Sequence, residues 1–276
     1  MARKFSLAHL TILKCPTPEM VYIADMTGYD YISPRIVNPG VPGGDNYDNN
    51  LAAKPELLAA TKKALASTGV GVHDIEVMRI LKEIDVKTYE PAIAVGAELG
   101  AKYVLSSILI DDKSHYIEKF GELCDIAAKY DMTVQLEFIT WLDVYNLQTA
   151  REVLEAVNRK NSGLTIDMLH AYRSRISPEE LKDVPAKWLN FVQICDGPSE
   201  IPERDNKDEL IRVGLGAREY VGEGAIDIAA YMKYIPKTAI CSIEVPHLAK
   251  TEEFGCAEHA RRCLVTAKKY FAQHNL

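Results

Sequence analysis

The chain has 276 residues, 47% hydrophobic and 26% charged, which is enough to bury a large core and fits one globular domain over residues 1–276. A net charge of −7 without a clustered basic stretch argues against nucleic acid and anionic membrane as partners. No segment approaches the ~18 apolar residues of a membrane span, and six cysteines without a C-x-x-C pair read as small buried residues in a reducing compartment, so a cytoplasmic protein is expected.

Basic residues precede an apolar run at Phe5 to Leu13, as in a signal peptide. That run is short, is interrupted by His9 and lacks a small-x-small cleavage site, so a first strand over Phe5 to Leu10 is the better reading. Thr17-Pro18-Glu19 then opens a helix with a cap residue followed by proline. A second strand spans Tyr31 to Val37. The Gly-, Pro- and Asn-rich stretch Asn38 to Asn50 after it is too irregular for an element and is a candidate lid or a plain surface loop. Helices follow at Pro55 to Ser67, Val86 to Leu99, His115 to Tyr130 and Leu147 to Arg159. Between them come strands at Val70 to Glu76, Lys102 to Ser107, Thr133 to Phe138 and one ending at Asp167. A short helix opens at Ser177-Pro178-Glu179-Glu180, and strand seven ends at Gln193. After a long connection from Cys195 to Gly224 come a helix at Ile226 to Tyr234, a strand ending at Glu244 and a helix from Glu252 to about Ala272. Eight strands alternating with eight helices predict a single-domain (β/α)8 TIM barrel.

The chemistry gathers at four strand ends. In Thr133-Val134-Gln135-Leu136-Glu137-Phe138 the apolar residues take one face and the acid takes the other. Asp167, Gln193 and Glu244 end later segments in the same way, at intervals of 30, 26 and 51 residues, against roughly 30 for a strand and its return helix. Parallel strands buried on both faces normally read as continuous Val, Ile and Leu, so a polar residue repeated at the same end of four of them calls for a reason. In a closed barrel they meet at the C-terminal mouth, where three carboxylates and an amide oxygen form an all-oxygen site. Mn²⁺ or Mg²⁺ suits that donor set best, with Co²⁺ or Zn²⁺ as alternatives. Two coordination positions would remain for substrate. Such an ion stabilises an enediolate while a neighbouring carboxylate or histidine moves the proton. Four separately buried, hydrogen-bonded polar residues are the plainer alternative.

His170, three residues past Asp167, is a candidate base or substrate contact, and Arg173 a candidate clamp for an anionic group. Arg218, in the glycine-bearing stretch Arg218 to Asp227, and Trp141 are further substrate-binding candidates. His73 joins them, with His9, Glu76 and Arg79 beside early strand ends. Gly214-Leu215-Gly216 resembles part of a dinucleotide fingerprint but follows no strand and is set aside.

Leu136-Glu137-Phe138, Asp167-Met168-Leu169-His170 with Arg173-Ser174, Val192-Gln193-Ile194-Cys195-Asp196-Gly197-Pro198, Gly222-Glu223-Gly224 with Ile226-Asp227, and Ser242-Ile243-Glu244-Val245-Pro246 together resemble the xylose-isomerase-like TIM-barrel superfamily of sugar phosphate isomerases and epimerases. The resemblance covers the chain from about Lys102 onward by motif and the first hundred residues by architecture. It implies a metal on Glu137, Asp167, Gln193 and Glu244, with the two glutamates transferring protons in an isomerase or epimerase of a small keto-sugar or polyol. Ketose epimerases of the superfamily usually carry histidine where this chain has Gln193. Glutamine there is familiar from 3-dehydroshikimate dehydratases, so a dehydratase of that or the inosose kind is the alternative. A non-catalytic sugar-binding barrel is a further one. The endonuclease IV type shares Asp-x-x-His but has a histidine-rich zinc site and a basic groove that this sequence lacks. A small carbohydrate-like substrate is the expected partner, and homo-oligomerisation is left open because barrel helices are amphipathic whether or not they pair.

Overall fold

The computed structural model describes residues 3–37 and 49–276, so most of the loop singled out as a lid, 38–48, lies outside the described residues. The described residues form nine parallel strands. These are β1 (Phe5–Ala8), β2 (Tyr31–Ser33), β3 (Gly71–Val72), β4 (Asp74–Ile80), β5 (Tyr103–Ile108), β6 (Thr133–Glu137), β7 (Ser162–Asp167), β8 (Phe191–Ile194) and β9 (Ile240–Ile243), hydrogen-bonded in the order β3-β2-β1-β9-β8-β7-β6-β5-β4. The helices are α1 (Thr17–Thr27), α2 (Pro55–Thr68), α3 (Glu90–Glu98), α4 (Lys113–Ala128), α5 (Leu147–Val157), α6 (Met168–Arg173), α7 (Lys207–Gly216), α8 (Ile228–Met232) and α9 (Leu248–Gln273). No described helix is long and apolar enough to cross a membrane.

Nine strands fill eight barrel positions because β3 and β4 are one chain segment interrupted at His73. The His73 N–H donates to Ile32 on one side and its carbonyl accepts the Lys102 N–H on the other, so this residue ties the two edges of the sheet together. Higher up, the parallel bridge between Arg35 and Glu76 completes the closure. The expected third strand, ending at Glu76, continues instead to Ile80 through a register shift between Ile75 and Met78, which carries Arg79 to the rim.

Local sequence accounts for the helix ends. In α5 the Asn146 side chain accepts the Thr149 N–H in a capping box, Asn158 closes the helix in the left-handed region at φ 47°, and Leu147, Ala150, Val153, Leu154 and Val157 form the stripe buried against the sheet. Three expectations are corrected. The first strand stops at Ala8, because His9 turns into a 3-10 helix and spends both ring nitrogens locally, on the Cys15 carbonyl and the Arg35 N–H. The connection after Cys195 contains α7, and α6 follows β7 without a break. The last helix starts at Leu248, four residues early, and is broken at Gly255, where φ is 74°.

The barrel interior is layered. Tyr31, Tyr103 and Phe191, each the first residue of its strand, gather with His73 into an aromatic plug at the N-terminal end, with ring centroids 4.9 Å (His73 to Tyr103) and 5.3 Å (His73 to Phe191) apart. His73 is therefore at the floor and not in the mouth, which corrects its assignment to the substrate pocket. Above the plug, Ser6 and Ser33 hydroxyls lie 2.7 Å apart and Ser33 donates to Asp74 at 2.5 Å.

Burial lowers the His73 pKa from 6.5 to about 3. A depressed histidine stabilises the fold fully above pH 6.5, and that contribution drains away as pH falls toward 3, because the unfolded chain takes up the proton first. Replacing His73→Phe should therefore reduce the stability lost between pH 7 and pH 4 by up to about 3 kcal/mol. Urea unfolding of both proteins at the two pH values measures it.

Candidate active site

Glu137 and Asp167 are the last residues of β6 and β7, Gln193 is the third residue of β8, and Glu244 directly follows β9. The period-2 pleat turns all four into the barrel, and the cross-strand register places Asp167 beside Gln193 and Gln193 beside Ser242. One carboxylate oxygen each from Glu137, Asp167 and Glu244 lies within 4.8 Å of the others, and all three side chains are buried. The Gln193 amide nitrogen donates to Glu244 Oε1 at 3.1 Å, while its oxygen is buried with no hydrogen-bond partner among the described residues.

One guanidinium stands among these acids. Arg218, 1% exposed, donates from Nη1 to Asp167 Oδ2 at 2.5 Å, pairs through Nη2 with Glu244 Oε2 at 3.0 Å, and anchors Nε on the Gly214 carbonyl at the end of α7 at 2.8 Å. Burial opposes the Asp167 charge, but Arg218 outweighs it and holds this carboxyl below its ordinary range. Glu137 has no such direct pair with an arginine among the described residues. Burial, then the charges of Glu244 and Asp167, push its pKa well up. Glu244 is also raised, by burial first and against the pull of Arg218.

Asp167 also caps α6, its Oδ1 accepting the His170 N–H at 3.0 Å. That cap fixes the first turn of the helix and turns the His170 ring toward Glu137, with Nε2 3.9 Å from Glu137 Oε1. The Thr140 N–H and hydroxyl approach Nδ1 at 3.5 and 3.3 Å, which leaves the ring proton on Nε2. Burial lowers the His170 pKa to about 3, so the ring is neutral at physiological pH. Trp141 packs edge-on against it at 5.0 Å and reaches over Gly214, where an added Cβ would come within 2.5 Å of the indole.

Above this floor is a cavity of about 310 Å³. Glu137, His170, Arg218, Glu244 and Trp141 line it, as do Arg35, Arg79, Ser107 and the apolar Leu10, Val77, Ile211 and Leu215. Of these, Arg35, Ser107 and Ile211 were not among the sequence candidates, and Leu215 appeared only in the glycine motif set aside. Arg35 was hidden because the second strand was expected to run to Val37, whereas β2 ends at Ser33 and leaves Arg35 just beyond it; Ser107 carried no signal. Arg173 is a correction: it lies one helical turn beyond His170, donates to the Leu210 carbonyl at 3.3 Å, and lines a separate cavity behind α6.

The residues fit a divalent cation. Three clustered carboxylates pair directly with Arg218 alone among the described arginines, Arg35 acting on Glu137 and Glu244 from farther off, and each carboxylate oxygen keeps a lone pair beyond its hydrogen bond. The partnerless Gln193 oxygen supplies a fourth donor. Glu137, Asp167, Gln193 and Glu244 would hold the ion.

A family model described as xylose isomerase-like TIM barrel matches residues 21–264. Among curated proteins, the inosose isomerase of Bacillus subtilis (strain 168) is 28% identical over 181 residues, spanning 62% of this chain and 62% of the relative. The inosose isomerase of Bacillus velezensis is 25% identical over 260 residues, 90% of this chain and 88% of the relative. Among solved structures, the crystal structure of IOLI protein with a binding zinc atom superposes with a TM-score of 0.80 at 20% identity, covering 98% of this chain and 99% of that one.

If Arg218 balances the buried acids, Arg218→Met should cost about 3–5 kcal/mol, the penalty for removing one partner of a buried pair. Arg159→Met, which breaks an exposed bidentate pair with Asp125, should cost under about 1 kcal/mol. Denaturant melts of the two variants compare them directly.

Proposed function

Because the chain belongs to the xylose isomerase-like TIM barrel family, we propose that it is a divalent-metal-dependent isomerase or epimerase of a small keto-sugar or keto-polyol, working through an enediolate. The observation that carries this reading is the meeting of three buried carboxylate oxygens within 4.8 Å at the floor of the mouth cavity. An ion there, Mn²⁺ or Mg²⁺ by its all-oxygen donors, would supply positive charge for a substrate carbonyl oxygen as the neighbouring C–H is deprotonated.

The chain's own side chains do the rest. Glu137 and Glu244 rise from β6 and β9, on different sides of the barrel, and each has its pKa raised by burial. An ionised carboxylate with a raised pKa is a stronger base than a solvated one, and a cation on the same oxygens would lower that pKa again. One can take the proton and the other return it, which inverts the carbon when they act on opposite faces. His170, neutral and carrying its proton on Nε2, donates toward a substrate oxygen beside Glu137 and cannot compete as a cation. Arg218 holds Asp167 and Glu244 in place, and Trp141 with the leucine walls keeps water off the reacting carbon. A cavity of about 310 Å³ lies at the small end of ligand pockets, in keeping with a substrate of inosose size.

A second reading, loss of water from the same enediolate, is favoured by Gln193, because the resemblance places glutamine at this position in 3-dehydroshikimate dehydratases.

The test is to incubate an inosose with the Mn²⁺-loaded chain in D₂O. Deuterium should enter beside the carbonyl without loss of water, and Glu244→Gln should slow this by about 10²–10⁴-fold. A new conjugated-enone absorbance would support the dehydratase instead. Uptake of less than roughly a tenth of an equivalent of metal, with no binding on addition of Mn²⁺, refutes both.

A further inference from the structure

Cys15 and Cys256 are 241 residues apart (256 − 15) and share no sequence motif, yet their side chains are in hydrogen-bond contact. Two backbone features bring them together. Cys15 follows the 3-10 helix His9–Ile12, where its N–H donates to the Ile12 carbonyl at 2.8 Å and its carbonyl accepts His9 Nε2 at 2.8 Å. Cys256 follows Gly255, whose φ of 74° and ψ of 164° break α9. An added Cβ at Gly255 would meet nothing within 4 Å, so the glycine supplies a backbone conformation there and not room for a neighbour. The Cys15 thiol, on a residue 2% exposed, has two acceptors within reach, the Pro16 carbonyl at 3.6 Å and the Cys256 sulfur.

The pair is unequal. Five of the six cysteines are buried, and Cys256 alone is partly exposed, on the wall of a cavity of about 460 Å³ that Leu10, Leu13, Lys14, Leu248 and Glu252 also line. A solute can therefore reach one sulfur before the other. The hydrogen bond from Cys15 outweighs burial and brings the Cys256 pKa down to about 7, whereas burial holds the thiols of Cys124, Cys195, Cys241 and Cys263 up. At neutral pH a large share of Cys256 is then thiolate, the form that acts as nucleophile. We propose that Cys256 and Cys15 form a reversible oxidation site, in which the reachable sulfur reacts with a hydroperoxide and the buried one closes an intramolecular disulfide. In the first step the Cys256 sulfur attacks hydrogen peroxide, the O–O bond breaks, and the sulfur becomes a sulfenic acid while hydroxide leaves and takes up the proton that Cys256 had released. The hydrogen bond that chiefly holds the proton on Cys15 weakens as the Cys256 sulfur gives up its charge. Cys15 then attacks the sulfenic sulfur, its proton departs with the hydroxyl as water, and the S–S bond forms. Two thiols and one hydrogen peroxide give one disulfide and two waters, and exchange with a dithiol reverses the oxidation. The site does not depend on the reaction assigned to the mouth.

The test is thiol mapping of the full chain after treatment with hydrogen peroxide, with peptides identified by mass spectrometry before and after dithiothreitol. Two of the six thiols should be lost together, in a peptide that joins Cys15 to Cys256 and comes apart on reduction. Iodoacetamide on the untreated, folded chain should label Cys256 at least about tenfold faster than any other cysteine. Cys256→Ser should keep all its remaining thiols under the same peroxide, and in Cys15→Ala the oxidation should stop at a sulfenic acid that dimedone traps on Cys256. The proposal is overturned if peroxide leaves all six thiols free, or if Cys256 is carried on to sulfinic acid while Cys15 stays reduced. It is also overturned if the bridge joins Cys256 to a second copy of the chain, or if another cysteine is labelled first. Should Cys15→Ala fail to fold, the map of the wild type decides alone.

Discussion

The arrangement at the mouth depends on one buried guanidinium. Glu137, Asp167 and Glu244 present oxygens within 4.8 Å of one another, and three full negative charges so close repel by about 3–4 kcal/mol per pair even at an effective dielectric of 20. The sum is on the order of 10 kcal/mol, comparable to the whole stability of a domain. Arg218 offsets the part that involves Asp167 and Glu244, and the remainder shows in the upward displacement of Glu137 and Glu244. The fold thus holds its acids in a state that a divalent cation would relieve, and this imbalance is what suits the site to such an ion.

The same imbalance explains which parts of the site could be read from sequence. Glu137, Asp167 and Glu244 were legible because each ends an alternating segment and the pleat leaves an end residue only two directions to face. Gln193 followed from the same rule. Arg218 was legible as a residue but not as a counter-ion: it comes from a long connection, and no local pattern says that its side chain turns inward beneath Gly214. Barrel closure was predictable from the strand count. The interruption at His73 and the shifted register after Ile75 were not, because a binary pattern carries no information about a strand that slips against its neighbour.

His73 and Arg173 show the two ways in which proximity in sequence misleads. His73 was grouped with residues at early strand ends, but β4 starts just after it at Asp74 and runs to Ile80, four residues past the expected Glu76, so the imidazole lies at the strand's beginning. Arg173 follows a real strand end, but α6 starts at once, and each helical turn moves a side chain about 5.4 Å along the axis. His170 stays at the rim while Arg173 passes behind it.

The aromatic cluster of Tyr31, His73, Tyr103 and Phe191 has a consequence for traffic. With one end stoppered, the barrel is a well and not a tunnel, and everything that reaches its depths must descend by the same shaft. On the proposed reading, a cation held by Glu137, Asp167 and Glu244 and the molecule acted on above it would both have to come and go through that single opening.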